Sequence, residues 1–255
     1  MFIRHVVAFG AAFIAGAINS VAGGGTLLSF PALIAIGLPS VMANATSTVA
    51  IWPGSLGGVV GYRQDMRSLP RRSYLLIIPS CIGGVIGAVL LAMTPTEVFD
   101  QLVPLLILFA TLLFMLQEPV QRMLRSTGKA HAESRSWLIG ALIFQFFVAL
   151  YGGYFGAGMG ILMLAAFGIL GYTDIHQMNG LKTLLAVFIN GVAALYFMWK
   201  GLVVWPEAIV MMVASIIGGV WGAGFARRLG QKGVRRSVIG IGFGMALYLL
   251  VRGYL

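Results

Sequence analysis

Apolar residues run through this chain in long blocks separated by short polar joints. The blocks are 3–21, 25–37, 42–62, 74–93, 99–117, 136–151, 158–171, 178–199, 204–226 and 235–252. A helix needs about 20 apolar residues to cross the hydrocarbon core of a bilayer, and most blocks come close to that. The pattern predicts an all-α, polytopic helical membrane protein. Blocks 25–37 and 158–171 are too short to cross. Each follows a glycine cluster, Gly23-Gly24-Gly25 and Gly156-Ala157-Gly158-Met159-Gly160, so a broken or re-entrant helix is expected at both.

Shifting the chain by 135 residues lays one half on the other. Gly23 and Gly25 fall on Gly158 and Gly160, Asn44 on Asn179, and Thr48 on Thr183. Ser80-Cys81-Ile82-Gly83-Gly84-Val85-Ile86-Gly87-Ala88 falls on Ser215-Ile216-Ile217-Gly218-Gly219-Val220-Trp221-Gly222-Ala223, seven matches in nine without a gap. Apolar segments match by chance often, but chance does not hold one offset from Gly23 to Ala88. The expected organisation is a first membrane repeat, 1–118, a basic linker, 119–135, and a second membrane repeat, 136–255. Residues 1–22 have the outline of a signal peptide, with Arg4, an apolar stretch and small residues at Ala15-Gly16-Ala17. Their counterpart in mid-chain argues that they are kept.

Composition excludes the soluble alternative. The chain is 59% hydrophobic and 9% charged, against roughly 25% charged residues in soluble domains. The 35 glycines suit close helix crossings and helix breaks in lipid. A net charge of +10 would suggest nucleic acid in a soluble protein. Here the bases lie in loops between apolar blocks, so we expect contact with lipid headgroups and no nucleic-acid partner. Cys81 is the single cysteine, which leaves no intrachain disulfide.

Charge also orients the chain. Loops 63–72, 119–135 and 227–236 carry the clustered Arg and Lys and should face the cytoplasm. Loops 119–135 and 227–236 share a side only if 136–171 goes in and comes back as a hairpin folded at its glycines. The same reading of 3–37 places both termini outside and inverts one half relative to the other. Two inverted repeats, each opening with a glycine-broken helical hairpin, give about 8 full spans or 10 segments. The rival is eight spans with each hairpin as one kinked helix. Inverted repeats with broken helices are a recurring plan of secondary transporters.

Candidate binding residues follow from the breaks. A broken helix in lipid is tolerated where it lines a polar cavity, and the amides that open a half-helix suit an anion. Gly23, Gly24, Gly25 and Thr26 form one such end, and Gly156, Gly158 and Gly160 the other. Gly83, Gly84, Gly87 and their counterparts Gly218, Gly219 and Gly222 have the spacing of packing devices instead. The next segment of each half is polar at matching places, with Asn44 and Ser47 in one and Asn179 and Lys182 in the other. Ser55 and Asn190 also coincide. Lys182 lies within an apolar block, where a lysine costs about 2.5–3.5 kcal/mol on insertion scales. It either fixes a positive charge for an anionic solute, or snorkels to the interface or pairs with Asp174. Asn19, Gln145 and Asn190 add neutral hydrogen-bonding groups.

Asp, Glu and His are absent from the middle of every block, and no G-x-x-x-x-G-K-[ST] loop is present. Nucleophile–base sets and metal-ligand spacings are missing too. We therefore expect no catalytic residues, no cofactor and no metal site.

The Gly23-Gly24-Gly25-Thr26 turn followed by Pro31, the Ala43–Ser47 stretch, and their counterparts at Gly156–Gly160 and Asn179-Gly180-Leu181-Lys182 resemble the TauE/SafE family of sulfite exporters and related permeases. The resemblance covers nearly the whole chain. It implies a multi-pass permease of the bacterial inner membrane that moves sulfite, sulfonates or other organosulfur anions. An anion channel, or a carrier of a small solute without sulfur, are the alternatives. Substrate, direction, coupling ion and oligomeric state are left open by the sequence.

Overall fold

In a computed structural model, described here for all residues except 1, 22–23, 127–134, 171, 173, 230 and 255, the chain is a bundle of eleven α-helices. Side chains are also left undescribed at 2–3, 20–21, 117–118, 120–126, 135–137, 169, 221–229, 231–238 and 252–254. The helices are α1 (Phe2–Val21), α2 (Thr26–Ala35), α3 (Ser40–Gly61), α4 (Arg63–Met66), α5 (Ile77–Met93), α6 (Thr96–Ser126), α7 (Arg135–Tyr154), α8 (Met159–Ile169), α9 (Ile175–Trp199), α10 (Trp205–Leu229) and α11 (Gln231–Tyr254). A 3₁₀ turn, Arg71–Leu76, leads into α5. Among the described residues, Arg71–Met93, Thr96–Leu116 and Ile175–Trp199 are long and apolar enough to cross a membrane alone. Large apolar side chains such as Val60, Leu105, Phe147, Leu195 and Leu247 point outward from the bundle. In water such a surface would be costly, whereas in lipid it is neutral.

The glycine clusters break the chain where the pattern of blocks places the breaks. Between α1 and α2 only the Gly24-Gly25 region intervenes, and between α7 and α8 only residues 155–158. Gly156 and Gly158 have φ of +77° and +79°, a backbone conformation that a side chain would strain. Both breaks reverse the chain. Arg4, in the first turn of α1, donates to the carbonyl of Ile36, just past the end of α2, at 2.9 Å. The start of α1 and the end of α2 therefore lie together, and the two form a hairpin, not one kinked helix. In the second half, Tyr172, after α8, shares a hydrogen bond with Ser73 beside the start of α5. Helix α5 runs alongside α7, with Gln145 donating to Ser80 near one end and Tyr154 meeting Thr94 at the other. The chain thus returns through α8 to the level at which α7 began.

Two ends of the bundle can be told apart. One carries Arg63, Arg67, Arg71 and Arg72, together with the Ser73–Tyr172 and Gln177–Ser68 hydrogen bonds. The opposite end carries the Arg4–Ile36 bond and the Val204 amide on Thr46 Oγ1, at 3.0 Å. Helix α6 continues beyond the apolar block at 99–117 as far as Ser126.

Helix pairings come in couples that the 135-residue offset interchanges. Helix α1 packs on α10 as α7 packs on α5, and α3 on α10 as α9 on α5. Helix α2 meets α11 as α8 meets α6, while α3–α9 and α6–α11 join counterparts directly. Small residues make the tightest crossings possible. A Cβ on Gly83 would stand 2.6 Å from the Phe146 carbonyl oxygen, and one on Gly218 would overlap the Phe13 carbonyl.

Candidate functional site

A cavity of about 490 Å³ lies where both hairpins meet α3, α9 and α10. Helix α3 contributes Thr48, Ile51, Ser55, Gly58 and, at its end, Tyr62, so the cavity occupies the half of the bundle toward the basic end. Helix α9 contributes its first half, from Lys182 through Asn190. Toward the opposite end the space is closed by a cluster of edge-on rings. Phe30 meets Phe155 at 5.4 Å and Phe99 at 6.4 Å between centroids, and Phe99 meets Tyr154 at 5.7 Å.

Both broken ends open into the cavity. Gly24 and Thr26 line it from the first hairpin, and Gly156, Gly158 and Gly160 from the second. The amides of Thr26 and Gly160 have no protein acceptor among the described residues, as expected for the first turn of a helix. Asn19 supports the first turn, accepting from the Gly24 amide at 3.3 Å and donating to Ser55 Oγ at 3.3 Å. Asn190 lines the wall near the second, 3.9 Å from where a Cβ on Gly156 would sit.

Lys182 is the one charged side chain among the described lining residues. Its stem lies along Gly160, where an added Cβ would come within 3.1 Å of Lys182 Cδ. Its ammonium donates to Asn179 Oδ1 at 2.9 Å, which leaves protons for a solute, since an ammonium carries three. Asp174 is not its partner. That carboxylate caps α9, accepting the amides of His176 and Gln177.

Not all sequence-predicted residues reach the cavity. Gly25 opens α2 but faces away, since a Cβ there would stand 2.6 Å from the Ala15 carbonyl oxygen. Asn179 lies behind Lys182 and holds it, with its own amide donating to the Ile175 carbonyl at 2.9 Å. Ser47 is fully buried on Ser29, hydroxyl to hydroxyl at 2.7 Å. Asn44 donates to the Tyr154 carbonyl at 2.8 Å and does not line the cavity. Gly23 lies outside the described residues. Ser55, eight residues after Ser47 on the same helix, does line the cavity. Thr48, Tyr62, Phe155, Met159, Thr183 and Ser215 line the cavity without having been singled out. Thr48 and Thr183 coincide under the offset, as Ser80 and Ser215 do, but that match does not say which of them face a cavity. The apolar ones carry no signal that separates lining from packing.

The description "Sulfite exporter TauE/SafE" belongs to a family model that matches residues 8–249. The chain belongs to the TauE/SafE family. Full-length relatives agree. A "Probable membrane transporter protein" of Haemophilus influenzae is 28% identical over 94% of this chain and 91% of the relative. "Probable membrane transporter protein YfcA" of Escherichia coli K12 is 30% identical over 96% and 88%. "Probable membrane transporter protein ORF9" of a Sinorhizobium species is 27% identical over 96% and 93%. No solved structure matches the chain. This TauE/SafE member is a multi-pass membrane transporter built of α-helices. Among its described residues, no group of three or more His, Cys, Asp or Glu side chains is placed to hold a metal ion.

Proposed function

We propose that this TauE/SafE protein is a secondary carrier of a small anion, of the sulfite, sulfonate or organosulfur class, working by alternating access. The observation that supports it is a single fixed cation, Lys182, in a cavity onto which the opening amides of two half-helices converge. Both features favour negative charge, and neither has a counter-charge among the lining residues. The residues assigned to the solute are Lys182, the Thr26 and Gly160 ends, Asn19 and Asn190. Asn179 positions the ammonium and does not touch the solute.

In this reading residues 1–118 and 136–255 are inverted repeats joined by 119–135, and the matched helix pairings support that division. Loops 63–72, 119–135 and 227–236 are cytoplasmic in a bacterial inner membrane, so the cavity is open on the cytoplasmic half and the Phe30–Phe99–Phe155 cluster closes the other. Such a closure favours a carrier over an open channel. Among the described lining residues there is no His, Asp, Glu or Cys, which favours translocation over chemistry.

The test is flux of radiolabelled sulfite, thiosulfate and short sulfonates into proteoliposomes, for wild type and Lys182→Met. Saturable flux that falls to the level of empty vesicles in the variant is the expected result. Undiminished transport of every anion tried would remove Lys182 as the binding charge. Ohmic, non-saturating current would replace the carrier by a channel.

A further inference from the structure

The turn of α3 that matches the Lys182 turn of α9 carries buried oxygens in place of an ammonium. Asn44 and Asn179 coincide under the offset, and each is followed by a threonine that bonds back to its carbonyl, Thr48 at 2.9 Å and Thr183 at 2.8 Å. In α9, Asn179 Oδ1 accepts the Lys182 ammonium. In α3 the residue at the lysine's place is Ser47, and Asn44 Oδ1 has no hydrogen-bond partner among the described residues, although Asn44 is 1% exposed. The amide's orientation is fixed, because Asn44 Nδ2 donates to the Tyr154 carbonyl at 2.8 Å. Ser40 Oγ, 3% exposed, also has no partner among the described residues.

Ser40, Asn44 and Ser47 stand at i, i+4 and i+7, which is one face of a helix. Ser47 adds Ser29 Oγ, 2.7 Å away, on the first turn of α2. Tyr154, to which Asn44 is tied, is the last residue of α7. A half-helix that ends inside the protein presents its unpaired carbonyls, and with them a partial negative charge. A buried acceptor without a partner is costly, so Asn44 Oδ1 calls for an occupant. The oxygens are neutral and none of these side chains is a carboxylate, which suits a monovalent ion better than calcium or magnesium. None of Ser29, Ser40, Asn44 or Ser47 belongs to the cavity lining, so the occupant is small.

We propose that Asn44, Ser47 and Ser29, with the carbonyl end of α7, form a site for one sodium ion whose binding is coupled to anion movement. One half then carries its positive charge covalently, in Lys182, and the other acquires it from solution. Sodium binding stands on the oxygen set alone, while its coupling role rests on the anion-carrier reading.

Binding of radioactive sodium to the purified full chain, with no transported anion present, tests the site. Wild type should bind saturably, with displacement by unlabelled sodium but not by potassium or choline. Asn44→Ala and Ser47→Ala should each weaken binding by at least about tenfold. Displacement by potassium as readily as by sodium would overturn the assignment to sodium. Absence of saturable binding by folded wild type, or unchanged binding in both variants, would overturn the site. Should Asn44→Ala not fold, Ser47→Ala and the wild-type protein decide. In proteoliposomes, wild-type anion flux should fall at least about tenfold when choline replaces sodium. Equal flux in the two media sinks the coupling and leaves the anion reading intact.

Discussion

Asn44 and Asn179 occupy matching turns of α3 and α9, and their surroundings differ in one respect that governs the rest. Around Asn179 a lysine reaches from the next turn, its ammonium is held at 2.9 Å, and the side chain lies along the cavity wall. Around Asn44 the equivalent residue is a serine turned onto Ser29, and neither Asn44 nor Ser47 lines the cavity. Several helix pairings correspond between the two sides. The two turns differ at Ser47 against Lys182, and only the lysine lines the cavity, while Ser47 is buried on Ser29. A pair of halves that were chemically alike would bind two anions or none.

Making the halves alike at that position should have the largest effect. Lys182→Ser gives α9 the residue that α3 carries. Removing one member of a buried, hydrogen-bonded charge pair costs about 2–5 kcal/mol, so anion affinity should fall by about 30-fold to several thousand-fold. Equilibrium binding on purified protein measures this without relying on flux. A loss below about threefold would mean that the helix ends hold the anion and the lysine does not.

Asn179→Leu removes the group that positions the charge while leaving the charge in place. The ammonium then has no protein acceptor, at about 1–3 kcal/mol, and its stem is free to swing from Gly160. Anion affinity should fall by about 10- to 100-fold, less than for Lys182→Ser. Asn179→Gln should recover part of the loss. An Asn179→Leu defect as deep as that of Lys182→Ser would show instead that Asn179 touches the solute directly.

Where the halves are alike, matched substitutions should have matched effects. Gly83→Ala drives a methyl into the Phe146 carbonyl of α7, and Gly218→Ala drives one into the Phe13 carbonyl of α1. Overpacking of this kind costs about 1–3 kcal/mol. Both variants should lower the melting temperature in detergent by similar amounts, with anion affinity in the surviving folded fraction unchanged. A large difference between the two would show that the packing is less even-handed than the pairings suggest.

The parts legible in the sequence are those with a strong physical signature. Glycine clusters in short apolar blocks showed the breaks at Gly24-Gly25 and Gly156–Gly158, because no other residue type ends a helix in lipid so cheaply. Lys182 stood out because a charge in an apolar block needs a reason. What was not legible is which way each helix turns. Every face of α3 is apolar or small, so hydropathy does not say that Thr48 and Ser55 line the cavity while Asn44 and Ser47 face elsewhere. The same ambiguity hid Gly25, whose part is a close approach to Ala15 and not a solute contact. Hairpin against kinked helix was likewise open in the sequence, since it depends on a contact 32 residues apart, Arg4 on Ile36.

The smallest effect should come from the two asparagines that face the cavity, Asn19 from the first hairpin and Asn190 from α9. Asn19 makes two long bonds, each of 3.3 Å, one to the Gly24 amide and one to Ser55. Asn190 stands near the Gly156 turn, and no hydrogen bond from its side chain to another described residue is found. Neutral hydrogen bonds contribute about 0.5–1.5 kcal/mol net, so either Asn→Ala change should weaken anion binding by only about 2- to 10-fold. The two should still differ in kind. Asn19→Ala loosens the first turn of the α2 hairpin and should lower thermal stability along with affinity, whereas Asn190→Ala should lower affinity at unchanged stability. An Asn190→Ala variant that melts earlier but binds as wild type would make Asn190 an interhelical tie, and the solute would then be held from the Lys182 side of α9 alone.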